Sequence, residues 1–313
     1  MIAFGPVPSR RLGRSLGINN IPPKACTYSC VYCQVGRTEK TRVDRRAFFN
    51  PEEIAAEVRN RVKLAHERGE PINYLTFVPD GEPTLDNNLG QEIELLRPLG
   101  IRIAVITNAS LLWREDVREA LCKADWVSLK VDTAREDVWR RLNRPDSTLE
   151  FMDLLTGMIG FAREYGGELA TETMLVKGIN DNDKHLELLA DFLAALKPAT
   201  AYLAVPTRPP AESWVAPPPA ETVNRAFHIL SEKVKHVEYL IGYEGNAFAS
   251  TGDAAADLLD ITAVHPMREE AVRELLAKAK ADWTIVQRLI DAKQLTETEY
   301  RGKKFYLRAF LRV

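Results

Sequence analysis

Lys24-Ala-Cys-Thr-Tyr-Ser-Cys-Val-Tyr-Cys-Gln34 gathers three of the chain's four cysteines, Cys26, Cys30 and Cys33, into eight residues. A structural zinc site asks for four protein ligands closing a tetrahedron. Three thiolates on one short loop, with no fourth nearby, suit instead a cuboidal iron–sulfur cluster with one iron left open. A zinc knuckle completed by Cys122 or by a histidine is the alternative. Cys122 falls in a stretch of helical period, where a buried apolar cysteine is commonplace. Such cysteine usage is no disulfide framework, and an oxygen-sensitive cluster needs a reducing compartment.

Outward from this loop the chain alternates two periodicities. Apolar, β-rich runs at Ser15–Ile21, Tyr74–Val78, Ile101–Thr107, Trp126–Val131, Leu169–Val176 and Ala201–Val205 read as strands. Amphipathic stretches at Pro51–Arg68, Leu89–Leu96, Trp113–Lys123, Ser147–Tyr165 and Lys184–Leu196 read as helices. Strand then helix, repeated about six times, implies an α/β fold with a parallel sheet. The pattern stops near Pro209, short of a closed eightfold barrel, so the expectation is an open, partial (β/α)6 TIM-like barrel over residues 1–250. Within it, residues 206–219 form a proline-rich connector and 220–250 an extension, with a helix at Glu221–Val234, a strand at Val237–Ile241 and a loop from Gly242 to Phe248. Such sheets carry their reacting groups at the C-terminal strand ends, and the cysteine loop follows the first expected strand.

The other strand ends are also polar. The second closes on Asp80-Gly-Glu-Pro83, where carboxylate and carbonyl oxygens can accept from an ammonium and glycine allows close approach; as a bare pattern, Pro-Asp-Gly is also a good turn. The third ends Ile106-Thr-Asn-Ala109. The fourth, Val127-Ser-Leu-Lys-Val-Asp132, puts Ser128, Lys130 and Asp132 on one face. Three polar residues there are costly unless they line a polar cavity or, alternatively, form an ion pair across the barrel mouth. The fifth ends Glu172-Thr-Met-Leu-Val-Lys-Gly-Ile-Asn-Asp181, with Met174 and Val176, and after them Glu172, candidates for the inward face, and Asp181 or Asp183 available to cap the next helix. Two arginine segments, Pro8–Arg14 and Thr207-Arg-Pro-Pro210, fall near the barrel opening. Guanidinium forks bind carboxylate or phosphate, and Arg208 is fixed between a strand end and two prolines.

The CxxxCxxC spacing with Tyr32 before the last cysteine, followed in order by these motifs, resembles the radical S-adenosylmethionine (radical SAM) superfamily. The resemblance covers roughly residues 4 to 250. It implies a [4Fe–4S] cluster on Cys26, Cys30 and Cys33, with SAM chelating the open iron. It further implies that Tyr32 packs beside the cluster with its backbone meeting the adenine, and that Gly81, Glu82 and Pro83 hold the methionine amino group. Asn108 would sit at the third strand end as in relatives. Ser128, Lys130 and Asp132 would serve the SAM carboxylate and ribose, with Lys130 on the carboxylate. The Val176-Lys-Gly178-Ile-Asn180 run would cup the adenine. An electron donor such as ferredoxin or flavodoxin is implied as partner. The nearest likeness is to the wyosine-synthase and glycyl-radical-activase branches. Wyosine synthases carry a second cysteine set, for which only Cys122 is to spare, and this argues against wyosine chemistry. The Gly5–Arg11 opening and the C-terminal tail resemble a bacterial subgroup of the superfamily.

That tail, residues 251–313, reads as helices at Ala254–Leu259, Glu269–Lys278 and Trp283–Ala292, then strands at Leu295–Tyr300 and Phe305–Leu311: a winged-helix pattern. From Arg268 onward eleven Lys or Arg face seven acids. The expected recognition helix, however, offers only Arg288 and Lys293 for base readout. Docking on the barrel or on a protein is therefore favoured over nucleic acid. An iron–sulfur or zinc sensor binding DNA through this unit is the alternative function. Apolar content of 45%, 27% charged residues and a net charge of −2 are those of a soluble globular protein with no pull toward nucleic acid or membrane. No apolar run nears the roughly 18 residues of a membrane span. Met1–Arg14 lacks the apolar core of a secretory signal, so a cytoplasmic location is expected.

Overall fold

The computed structural model describes residues 2–242, 245–246 and 248–309. The alternating periodicities fold into one curled sheet of eight strands, hydrogen-bonded in chain order. These are β1 (Ala3–Ser9), β2 (Gly13–Ile18), β3 (Tyr74–Phe77), β4 (Arg102–Thr107), β5 (Trp126–Lys130), β6 (Glu168–Met174), β7 (Thr200–Ala204) and β8 (Val237–Leu240). β1 pairs antiparallel with β2, and β2 to β8 are parallel. The crossovers carry α1 (Pro51–Glu67), α2 (Leu89–Leu96), α3 (Glu115–Leu121), α4 (Glu136–Leu142), α5 (Phe151–Glu164), α6 (Asp183–Leu196) and α7 (Ala220–Ser231). Local chemistry starts these helices. Asn50 caps α1 by accepting from Glu52 N–H ahead of Pro51, and Asn182 caps α6 by accepting from His185 N–H.

The parallel sheet thus has seven strands rather than six. The expected extension supplies the additional strand: α7 leads back to β8, which pairs with β7, with Ala204 opposite Leu240. The proline-rich stretch interrupts the strand–helix rhythm in sequence but not in space. β1 was not expected, because Gly5, Pro6 and Pro8 argue against a strand. At the sheet's edge those prolines owe no ladder bond to a second neighbour. Gly17 in β2 is required by this pairing, since a Cβ there would lie 2.0 Å from the Phe4 ring.

Alternation along each strand separates two faces. Leu75, Phe77, Ile103, Val105, Val127 and Leu129 point outward into the main core beneath the helices. Tyr74, Ala104, Trp126 and Ala170 point inward and pack around Leu12, from the β1–β2 turn, which plugs the barrel interior.

The C-terminal part comprises α8 (Ala254–Val264), β9 (Met267–Arg268), α9 (Glu269–Lys278), α10 (Thr284–Asp291), β10 (Leu295–Tyr300) and β11 (Lys303–Arg308). Its three strands form a separate antiparallel sheet in the order β10-β11-β9. α8 runs past the expected Leu259 to Val264. Residues 310–311 of the expected last strand, and Tyr243, Glu244 and Ala247 of the expected loop, lie outside the described residues. Leu258, Ile261, Val272, Leu275 and Val286 share one apolar cluster with Phe4 and Val7 of β1. The unit therefore covers the open edge of the main sheet, the place where an unpaired strand would otherwise invite aggregation. No helix among the described residues is long and apolar enough to cross a membrane.

Candidate functional site

The C-terminal ends of β3 to β7 and the cysteine loop surround a cavity of about 300 Å³. Cys26, Cys30, Cys33 and Tyr32 form one wall, with Gly81, Asn108, Lys130, Glu172, Met174 and Arg208 around the rest. The loop is anchored from below. Ala25 O accepts from Glu82 N–H at 2.9 Å, and Gly81 lies so close that an added Cβ would fall 2.0 Å from the same oxygen. A side chain at position 81 would push the cysteine loop away from β3. Thr27 Oγ1 meets Ser110 Oγ at 2.7 Å and accepts from Asn108 Nδ2 at 2.7 Å.

Each of the three loop sulfurs has a side-chain nitrogen donor beside it. Asn108 Nδ2 lies 3.7 Å from Cys26 Sγ, Asn143 Nδ2 lies 3.6 Å from Cys30 Sγ, and Lys24 Nζ lies 3.6 Å from Cys33 Sγ. Burial, reinforced by mutual repulsion, pushes the Cys26 thiol far up and that of Cys30 up to about 12. The three sulfurs, each half-buried, line one cavity, and Cys26 and Cys30 need positive charge beside them to be thiolates, as a bound iron cluster supplies. The donor set fits such a group.

Glu82 does not face the cavity. Its carboxylate is fully buried and accepts from Thr84 N–H and Oγ1, from Thr107 Oγ1 at 2.6 Å, and from Asn108 N–H at 2.7 Å. It braces the ends of β3 and β4, while burial raises its pKa. Pro83 begins the short helical turn Pro83–Leu85 behind it. Of this motif, Asp80 and Gly81 border the cavity.

Lys130 and Glu172 face each other across β5 and β6, with Nζ 2.5 Å from Oε1, and Arg11 pairs with the other oxygen of Glu172. Burial opposes ionisation, yet the two cations hold Glu172 down at about 2. The ion pair across the barrel mouth is thus formed, and Lys130 Nζ also stands 5.0 Å over the Tyr32 ring. Tyr32 donates to Asp132, whose carboxylate also accepts from Met174 N–H and Asn143 Nδ2, both at 2.8 Å. Asp132 lies behind the cavity as a strut between the cysteine loop and β6.

Three other expected site residues, Ser128, Gly178 and Asn180, sit apart from the cavity lining. Ser128 is buried lower in the barrel, and its hydroxyl has no partner among the described residues. Asn180 is buried and stitches its own loop, donating to the carbonyls of Asp132 and Met174 and accepting from Val176 N–H. Gly178 takes a left-handed φ of +71° at an exposed turn. Arg208 lines the cavity, but its guanidinium reaches Gln34 Oε1 at 2.7 Å and the His265 ring. Cys122 is exposed at the end of α3 rather than buried, in the electrostatic surroundings of Glu164, Arg118 and Glu119.

Sequence reading missed three contributors. Lys24 and Asn143 carry no motif of their own; only the fold brings their nitrogens to the sulfurs. Glu212 lies in the proline-rich stretch, where it accepts from Arg37 at 2.6 Å and pairs with Arg144. Its N–H also donates to Val31 O, so this stretch roofs the cysteine loop.

Comparison with known proteins agrees with this geometry. The sequence profile described as the Radical SAM superfamily matches residues 20–193. A UPF0026 protein of Methanocaldococcus jannaschii is 48% identical over 310 residues, covering 98% of this chain and 96% of that one. Among solved structures, a radical SAM methyltransferase from Sphaerobacter thermophilus has a similar fold, with a TM-score of 0.55 at 19% identity over 73% of this chain and 67% of that one. TYW1 with a lysine–pyruvate adduct bound is similar at a TM-score of 0.54 and 16% identity, covering 70% of this chain and 74% of that one. With a cysteine loop at the mouth of a curled parallel half-barrel and that profile across more than half its length, the chain belongs to the radical SAM superfamily.

Proposed function

We propose that Cys26, Cys30 and Cys33 hold a [4Fe–4S] cluster and that the cavity beside them binds SAM. The carrying observation is that three half-buried thiols, each with a side-chain nitrogen donor, line the cavity that Gly81, Asn108, Lys130 and Met174 share. When bound, the cluster supplies the electron that cleaves SAM, freeing a 5'-deoxyadenosyl radical to take a hydrogen atom from a second reactant. The chain's own residues position and insulate. The backbone at Gly81 would accept from the methionine amino group. Lys130 keeps one N–H on Glu172 and turns the others to the SAM carboxylate. Met174 gives the adenine an apolar flank. The stretch around Glu212 keeps water from the loop.

An electron donor such as ferredoxin or flavodoxin and a reducing, cytoplasmic setting follow from that chemistry. Residues 251–313 are read as a distinct winged-helix unit whose part is to dock on β1. The alternative of a DNA-binding sensor finds no support. Lys303 and Lys304 of the wing turn are spent on Glu270 and Glu297 at 3.6 and 2.9 Å. The test is an anaerobically reconstituted, reduced sample incubated with SAM. It should release 5'-deoxyadenosine; a full complement of iron without that product overturns the reading. Deuterium transfer into the 5'-deoxyadenosine from RNA, peptide or metabolite pools would then report which molecule gave up the atom.

A further inference from the structure

One side of the cavity has the C-terminal unit at its back. Gln34, Val78, Asp80, Pro206 and Arg208 all line the cavity, and each also faces residues 251–309. Gln34 donates to Val264 O, and Arg208 meets the His265 ring. The Tyr300 hydroxyl donates to Pro206 O at 3.2 Å. Val78 packs against the apolar cluster of Leu258, Ile261 and Val286. Asp80 faces both ways: it also lines a second cavity, of about 120 Å³, whose walls include Asp260 and Ala263 of α8 and Arg308 of β11.

These five positions lie outside helix and strand, after Cys33, β3 and β7. Loop segments of this kind take their place from what packs on either side of them. The interface behind them is charged as well as apolar. Burial pushes Asp80 and Asp260 up to about 6 each, against the pull of Lys24 and Arg308 on the first and of Arg61 and Arg308 on the second. Arg61 of α1 reaches Asp260 at 3.5 Å, and Lys24 Nζ lies 3.6 Å from Cys33 Sγ. Cations and carboxylates thus alternate from the cysteine loop, through Lys24, Asp80 and Arg308, to Asp260 of the C-terminal unit and Arg61 of the barrel.

Resting on the SAM reading above, we infer that residues 251–309 act as a clamp whose docking is coupled to SAM binding. SAM orders the lining segments from the front and the C-terminal unit orders them from behind, so each lowers the ordering cost that the other meets. The coupling is reciprocal: SAM tightens the unit's hold on the barrel by the factor through which loosening the unit weakens SAM. A partner that pulls the unit off the barrel would therefore release SAM.

In the reconstituted full-length protein, hydrogen exchange is followed with and without saturating SAM. Amides of α8 and β10 should exchange at least threefold more slowly with SAM, beyond any slowing in α5. Tyr300→Phe and Asp260→Asn remove contacts across the interface, and neither residue lines the SAM cavity. Combined, they should speed exchange in α8 and weaken calorimetric SAM binding at least threefold, with iron content per chain as the check on assembly. Arg288→Gln, exposed on α10, should change neither. If the double variant does not load iron, Tyr300→Phe is read alone. SAM leaving the unit's exchange unchanged, a loosened variant binding SAM as wild type does, or an equal loss in Arg288→Gln overturns the inference. Where a variant leaves exchange unchanged, the wild-type comparison decides. Failure of SAM to bind the wild-type protein strikes the SAM reading instead.

Discussion

Gln34, next to Cys33, donates through Nε2 to the carbonyl of Val264, the last residue of α8, at 3.0 Å. Its Oε1 accepts from Arg208 at 2.7 Å, and Arg208 in turn meets His265. One amide thus joins the cysteine loop, the segment after β7 and the C-terminal unit. Gln34→Ala removes both bonds and should lower stability by about 1–3 kcal/mol. The urea midpoint should fall, with faster amide exchange at the end of α8; an unchanged exchange pattern would mean that the joint carries no load.

The three loop cysteines and the fourth should behave oppositely. Cys30→Ala is expected to cut iron content and to bring 5'-deoxyadenosine formation to background. Cys122→Ala, at an exposed helix end, should leave both unchanged. Iron loss in Cys122→Ala would return the zinc-knuckle alternative.

The nitrogen donors to sulfur predict a direction for the reduction potential. Hydrogen bonds and positive charge stabilise the more negative, reduced state of a cluster. Lys24→Met removes a cation 3.6 Å from Cys33 Sγ. The potential should move negative by on the order of 60 mV, the one-electron equivalent of about 1.4 kcal/mol. Redox titration followed by electron paramagnetic resonance measures it, and a positive shift would contradict the assignment.

Glu82 is expected to matter for folding before chemistry. Glu82→Gln turns an amide donor toward a site built from donors: the Thr84 and Asn108 N–H groups and two threonine hydroxyls. A loss of about 2–3 kcal/mol is expected in urea unfolding, against about 1 kcal/mol for Thr107→Val. Equal, negligible effects would remove Glu82 from its role as a brace.

A buried acid gives the pH dependence. Burial, with the charge of Asp86 adding to it, pushes Glu92 up to about 8. Asn20 donates to one of its oxygens at 3.1 Å. The folded state therefore holds a proton that the unfolded chain releases near its ordinary carboxylate pKa. This contribution is fully present below about pH 4.5, declines as pH rises toward about 8 and then levels off, a change on the order of 5 kcal/mol. Glu92→Gln should flatten that slope and raise stability at the alkaline end. Urea unfolding across this range, on both proteins, checks the sign.

How much of the site was readable from the chain depends on how local each signal is. The Cys26–Cys33 spacing and the strand-end positions Lys130, Glu172 and Met174 are properties of a loop and of strand alternation, and they line one cavity, whereas Val176, expected on the same face, is buried among Val31, Val138 and Leu142 beyond the end of β6. Ser128 obeys the same alternation but sits too deep, because alternation specifies a face and not a height. Glu82 looked like a ligand for an ammonium; in the fold, Thr84, Thr107 and Asn108 compete for its carboxylate and take it. Lys130 and Arg208 read as anion binders, and each has found a neighbour, which the linear pattern does not disclose.

Periodicity, strand-end chemistry and cysteine spacing, all short-range quantities, were enough to determine a parallel α/β half-barrel with a three-thiol loop at its mouth. Tertiary structure alone decided that the β1–β2 turn fills the barrel with Arg10, Arg11 and Leu12, that β8 joins the sheet, and that Lys24 and Asn143 reach the sulfurs. Those outcomes depend on contacts between residues distant in the chain, as with Arg10 and Leu240, or on backbone turns that no repeating pattern encodes. They are settled by which buried charges and hydrogen-bonding groups find partners when the whole chain packs.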